Sequence, residues 1–174
     1  MPGWIAPARR TSPRITGYDY SLPGTYFVTI CSRRRECLFG TVIDSAVLLS
    51  DIGLIVNQYW LEIPHHFPTV TLDLHVVMPN HVHGLLSLPS SNEAPQLDIA
   101  HDLNAIVGSF KAAATRSVNT RHAAQGFRLW QRSYYDHAVR TEQGLERIRE
   151  YIVNNPLKWK LDEYNPGRRK PRQT

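Results

Sequence analysis

Cysteine is nearly absent from this chain of 174 residues: Cys31 and Cys37 are its only two. Their spacing fits no metal motif and two cysteines make no disulfide framework, which points to a reducing compartment. No apolar run approaches the roughly 20 residues of a membrane span. Near the N-terminus stand Arg9, Arg10 and three prolines, without the apolar stretch of a signal peptide. These absences predict a cytoplasmic protein with no membrane partner. There is no internal repeat, no sign of a second domain and no His-Glu-x-x-His signature. The middle of the chain lacks basic residues: positions 36–110 hold eight acidic side chains and neither Lys nor Arg. Positions 1–35 carry six Arg and one Asp, and positions 111–174 carry fourteen basic and six acidic residues. With a net charge of +5 and a pI near 9.4, basic flanks around an acidic, histidine-bearing middle suit a polyanion held beside a bound cation. Charge scattered over a solvated surface is the plain alternative.

What is present reads as one globular domain: 42% of residues are hydrophobic and 20% charged. Residues 1–23, rich in Pro, Arg, Ser and Thr, form a basic arm; 24–160 form the domain; 161–174 form a basic tail. Tyr26 to Cys31 reads as the first strand. Leu38 to Ile43 reads as the second, which puts Arg33, Arg34 and Arg35 at a hairpin tip. Ser50 caps a helix whose apolar residues Ile52, Ile55, Val56, Tyr59 and Trp60 recur at helical spacing. Ile63 to Pro68 breaks it. Val70 to Met78 and His81 to Ser87 read as strands, Asp102 to Val118 as a helix, and Arg128 to Arg140 as extended. Thr141 caps a last helix with the buried stripe Leu145, Ile148 and Ile152, ended by Pro156. Hairpins with intervening helices predict an α+β fold with an antiparallel sheet.

The stretch Met78-Pro79-Asn80-His81-Val82-His83 organises the chain. Two histidines two apart point to one face of a strand, and paired imidazoles on a rigid sheet suit a metal. Register decides what surrounds them. A two-residue turn at Pro79-Asn80 seats His83 opposite Val76. A three-residue loop from Met78 seats His83 opposite His75 and Leu85 opposite Asp73. The second keeps polar beside polar and is preferred; it makes His75 and Asp73 supports for the pair. On the last helix Tyr151 and Asn155 are one turn apart, so both can face one site.

Here a resemblance enters. Met78 to His83 resembles the histidine–hydrophobe–histidine (HUH) motif of single-tyrosine DNA transposases. Tyr151-Ile152-Val153-Asn154-Asn155-Pro156, followed by Leu157-Lys158, resembles the Tyr-x-x-x-Asn-Pro helix of their REP-associated branch. Trp130 to His137 and Gly24-Thr25-Tyr26-Phe27 are similar to that branch too, with Tyr26 standing where the branch usually has Trp. The resemblance covers most of residues 20–160. It implies a ferredoxin-like (RRM-like) domain that cuts and rejoins single-stranded DNA bearing palindromic hairpins, in transposition or in REP hairpin processing. By match, His81, His83 and Asn155 hold a divalent metal, and Tyr151 attacks the scissile phosphate to give a 5′-phosphotyrosine. The family implies Mg²⁺ or Mn²⁺; two imidazoles and an amide by themselves favour Mn²⁺, Co²⁺ or Zn²⁺. A phenol has a pKa of about 10 and needs such an electrophile at neutral pH. Such a protein belongs with the nucleoid, as a monomer or a homodimer.

Phosphate contacts follow the charge map: Arg33, Arg34, Arg35, Lys111, Arg116, Arg132, Lys158 and Lys160. Gly24, Thr25 and Tyr26 join them by match, and Tyr26, Tyr134 and Tyr135 are candidates to stack on unpaired bases, with Phe27 assigned to the core. His137, beside a matched motif, is a candidate support for the metal ligands. His65, His66 and His101 read as structural. Two other classes compete. A non-catalytic RRM-like module that binds single-stranded nucleic acid explains charge and aromatics but leaves the histidines without a role. A zinc hydrolase using His81, His83 and Asp73 lacks a signature.

Overall fold

The β-branched and aromatic run predicted as the first strand forms β1 (Gly24–Cys31), at the centre of the domain. The computed structural model describes residues 19, 22–89 and 102–168. His101, most of the N-terminal arm and the last residues of the tail lie outside them. After β1 come β2 (Gly40–Ile43), β3 (Ala46–Leu49), α1 (Asp51–Leu61), the single-turn α2 (Ile63–His66), β4 (Thr71–Met78) and β5 (His81–Leu88). Then follow α3 (Leu103–Arg121), β6 (Tyr135–Val139) and α4 (Glu142–Asn154).

Strands β4-β5-β1-β6 make one antiparallel sheet in that order, and β2-β3 a small second one. In the main sheet β1 reaches β4 through α1, and β5 reaches β6 through α3. That is the βαββαβ plan of the predicted ferredoxin-like fold. Each long helix starts on a side-chain cap. Ser50 Oγ accepts from Gly53 N–H, Asp102 Oδ1 from Asn104 N–H, and Thr141 Oγ1 from Gly144 N–H. Each such cap contributes about 1 kcal/mol.

Period-2 alternation sends Tyr26, Val28 and Ile30 of β1 to one face, where they meet Trp60 of α1 and Phe110 of α3. Phe27 points to the opposite face and packs with Leu85 against Ile148 and Ile152 of α4. The sheet is therefore covered on both sides.

Three expectations need correction. The Arg run does not tip a hairpin: Arg33–Arg35 form a 3-10 turn, with Arg34 and Arg35 at φ 56° and 57°. β2 does not pair with β1, because Ala46–Leu49 offers a nearer partner across the two-residue turn Asp44-Ser45. The loop between β4 and β5 is the two-residue turn Pro79-Asn80, so Met78 faces His81 and Val76 faces His83. Keeping polar beside polar presupposed a solvated face, whereas α4 buries this one. Finally, a register shift between Leu72 and His75 interrupts the alternation of β4. Leu72 thereby joins the α1 side and Val76 the α4 side, although both have the same parity.

Gly84, after the second histidine, is demanded by packing. A Cβ there would lie 2.1 Å from Trp60 Cζ2, a fully buried ring. Gly84→Ala is expected to destabilise the protein by about 1–3 kcal/mol, the usual cost of overpacking, as read from urea unfolding. An unchanged midpoint would mean that Trp60 can move aside.

Candidate functional site

Two backbone elements aim the histidine pair, and three side chains set its chemistry. His81 and His83 stand on β5, fully buried on the α4 side. Asn80, also buried, turns its Nδ2 to the carbonyls of Arg35 and Tyr164 at 2.9 and 2.7 Å. Carbonyls only accept, so Asn80 Oδ1 is left to face His81 Nδ1 at 2.9 Å, and that nitrogen must donate. His81 Nε2 is then a bare lone pair. It lies 2.9 Å from His83 Nε2. His83 Nδ1 is held by Thr29 Oγ1 at 2.8 Å, from the neighbouring strand β1.

Helix α4 brings Tyr151 over the pair, its hydroxyl 3.2 Å from His83 Nε2 and its ring edge-on to Phe27. Asn155 keeps an α conformation (φ −61°, ψ −44°) despite the following proline. Its side chain favours the charged forms of both the Tyr151 phenol and the Asp162 carboxyl. The chain after α4 folds back across the site. Asp162 lies at the end of the 3-10 turn Trp159–Leu161, and its Oδ1 accepts from Tyr164 N–H at 2.6 Å. The Tyr164 ring packs 4.7 Å from that of His81, beneath the Arg35 guanidinium. Ligand atoms of His81, His83 and Asp162 lie within 4.8 Å of one another.

Burial makes these groups resist charge. It pushes His83 down to about 3. It also pushes His81 well below 6.5, helped by His83 and Arg35. Burial raises the Tyr151 phenol above its usual range, as does the charge of Asp162, while the Asn155 amide opposes the rise. Burial likewise raises Asp162, opposed by the Tyr164 N–H and the Asn155 amide.

The arrangement fits a divalent cation. Two uncharged Nε2 atoms converge at 2.9 Å; ligands about 2.1 Å from a shared ion and at right angles lie about 3 Å apart. If a proton bridges them instead, it sits on His83 Nε2, which then cannot accept from Tyr151. A carboxylate stands beside them, and Asn155 Oδ1 is a buried acceptor without a hydrogen-bond donor.

Residues 25–155 match the sequence model of the IS200-like transposases. This chain belongs to the IS200-like transposase family. An uncharacterized protein of Haemophilus influenzae is 39% identical over 167 residues, covering 88% of this chain and 92% of that one. A second H. influenzae protein, whose name places it among the REP-associated tyrosine transposases, is 23% identical over 140 residues, covering 80% of this chain and 74% of that one. The solved structure of a REP-associated tyrosine transposase bound to a REP hairpin superposes with a TM-score of 0.60 at 21% identity, over 86% of this chain and 74% of that one. The α+β fold predicted from the sequence is thus the fold of this transposase family. Among the described residues no helix is long and apolar enough to cross a membrane.

The other predicted site residues divide. Arg35 and Lys158 adjoin the site. Lys158 is exposed and, with Tyr151, Asn155, Asp162 and Arg168, lines a cavity of about 330 Å³. Arg33, Arg34, Arg116 and Arg132 are exposed. Gly24 begins β1 at φ 140°, and Thr25 Oγ1 pairs with Ser87 Oγ at 2.8 Å. Tyr26 is buried with its hydroxyl on Leu22 O, and Tyr134 is buried with its hydroxyl on Asn104 Oδ1, so neither ring is open to a base. Lys111 Nζ donates to the carbonyls of Gln131 and Arg132 and fastens the connector before β6. His75 stacks on Trp60 and bonds Asn57 on the opposite side of the sheet. Asp73 pairs with Arg149 of α4 at 2.7 Å. Neither joins the histidines, because the turn and the register shift moved them. His137 lies on the α4 side opposite Phe27, with β1 between it and β5. Sequence reasoning missed Thr29, Asp162 and Tyr164. Asp162 and Tyr164 stand in the stretch 161–174 that reads as a tail, and the 160/161 boundary falls inside this folded-back segment. No periodicity links Asp162 to Tyr151; only tertiary structure does.

Unfolded imidazoles titrate near 6.5, whereas folded His83 resists protonation down to about 3. Between these values the unfolded chain binds more protons, so stability is full above 6.5 and falls as pH drops toward 3. Chelator-treated protein is expected to lose melting temperature steadily across this window, and the His81→Gln/His83→Gln double variant to lose less. Equal slopes would overturn the neutral burial of the pair.

Proposed function

We propose that this chain is a divalent-cation-dependent DNA transesterase that cuts and rejoins single strands through Tyr151, acting on hairpin-bearing DNA of the REP type. The observation that carries the reading is the hydroxyl of Tyr151 beside His83 Nε2, which itself faces His81 Nε2. Family membership supports a DNA-processing enzyme, and the name of the solved structural neighbour supports the hairpin substrate.

His81, His83 and Asp162 would hold the cation, and the buried Asn155 Oδ1, without a hydrogen-bond donor, is a further candidate ligand. When bound, that ion polarises a non-bridging phosphoryl oxygen and offsets charge building in the transition state. The chain does the rest. Asn155 favours the phenolate over the neutral hydroxyl. Tyr151 Oη attacks phosphorus and gives up its proton toward the solvent-filled cavity. The P–O3′ bond breaks, the 3′ oxygen takes up a proton, and the 5′ phosphate is left esterified to Tyr151. One phosphodiester is exchanged for another, so the reverse attack by a 3′-hydroxyl needs no energy source. Lys158 and Arg168 line the same cavity and offer positive charge to the flanking phosphates.

Tyr151→Phe tests this directly. The variant is expected to lose at most about 1 kcal/mol of stability, one net hydrogen bond. With Mn²⁺ and a labelled hairpin oligonucleotide, wild type should give a 3′-hydroxyl strand and a protein-linked band on a denaturing gel. The variant should give neither while still shifting the oligonucleotide on a native gel. An adduct surviving in the variant would move the nucleophile elsewhere. DNA binding that ignores EDTA, with no adduct from wild type, would favour the non-catalytic binding module.

A further inference from the structure

Beside the site, not within it, lies a cavity of about 500 Å³ between the β2–β3 hairpin and the segment after α4. Val42, Ile43, Asp44 and Ser45 line one side, and Trp159 and Lys160 the other. Trp159 belongs to both places, since its ring centroid also lies 6.1 Å from that of His81. We propose that this cavity receives one unpaired nucleobase of the DNA strand, the base adjoining the phosphate presented to Tyr151. The inference rests on the strand-cleaving reading of Tyr151 and the histidine pair.

Four observations converge on a base. The volume suits a single planar heterocycle with room for water. The indole of Trp159 and the aliphatic walls of Val42 and Ile43 suit its two apolar faces, and such stacking tolerates any base. Ile43 is 54% exposed, a large apolar side chain that a bound ring would cover. The polar groups sit where a nucleotide needs them. Asp44 and Ser45 offer acceptors to ring-edge donors, and Lys160, exposed, offers a cation to the sugar–phosphate chain.

The turn that carries Asp44 and Ser45 is consistent with this use. Both residues have left-handed backbones, φ 47° and 64°, the pattern of a hairpin turn that Asn-Gly fills most easily. A serine there is disfavoured relative to glycine. The chain keeps two hydrogen-bonding side chains at the cavity mouth instead. Trp159 couples the cavity to the chemistry: a base held against it places the strand one side chain from His81.

The test is equilibrium binding by the full-length Tyr151→Phe protein, which binds without cutting. The probe is a fluorescein-labelled REP-type DNA hairpin with short single-stranded flanks. Each flank nucleotide is replaced in turn by an abasic unit. One position is expected to lose about tenfold in affinity when its base is removed. Trp159→Ala should lose as much on the intact probe and nothing more on that abasic probe, while Trp159→Phe keeps most of the affinity. Ile43→Glu, at an exposed position away from the histidines, should show the same position-specific coupling. Wild-type cleavage should map beside the sensitive base. Variants that weaken every probe equally, or a flank with no sensitive base, would overturn the pocket. An adduct formed by wild type alongside that result would leave the Tyr151 reading intact. The coupled pattern without any wild-type adduct would keep the pocket and sink the cleavage reading.

Discussion

The buried amide of Asn80 holds this structure's chemistry in place. Its Nδ2 joins the loop after β1 to the segment that folds back after α4, and its Oδ1 fixes the proton of His81. The backbone of the same turn adds two bonds, Ser32 N–H to Asn80 O at 2.9 Å and Phe39 N–H to Pro79 O at 2.8 Å. A two-residue turn thereby becomes the junction of four chain segments. Without the amide, the buried His81 N–H would lack its acceptor, at a cost of about 1–3 kcal/mol, and the half-buried carbonyls of Arg35 and Tyr164 would lose their donor. The direction of the His81 lone pair is a consequence of that accounting, not of metal binding.

Helix α4 completes what the turn begins. It seals the sheet face that holds His83 and delivers Tyr151 and Asn155 together. Apolar packing of Ile148 and Ile152 on Phe27 and Leu85 supplies the adhesion. The Arg149–Asp73 pair is about one-third exposed on each side, so it adds little energy. Its value is geometric, because it ties the middle of the helix to β4 just where that strand shifts register.

Much of this was legible in the sequence. Helical spacing located α1, α3 and α4, the first and last with their caps Ser50 and Thr141, and the spacing of His81 and His83 put both on one face. Tyr151 and Asn155, one turn apart, do meet at the same site. What escaped was whatever depends on how layers close. Period-2 reasoning assumed one wet face, so it misjudged the turn and drew His75 and Asp73 toward the histidines. Composition singled out Tyr26 and Tyr134 as aromatic platforms, but alternation buries the first and Asn104 claims the hydroxyl of the second. Asp162 and Tyr164 come from a stretch without periodicity, and only its return across β5 gives them a role.

The neutrality of the two imidazoles has an electrostatic consequence. With both uncharged, Asp162 is the one member of the histidine–carboxylate cluster able to carry a formal charge, and that charge is negative. With Asp162 ionised, a DNA phosphate would meet repulsion there. On the proposed function, a divalent cation would reverse the sign of the cluster from minus one to plus one, so that ion and DNA would become mutual ligands. By thermodynamic reciprocity, whatever factor the ion contributes to DNA affinity at this spot, the DNA contributes to ion affinity. A weakly held ion in the free protein and a tightly held one in the complex would then be two views of one coupling.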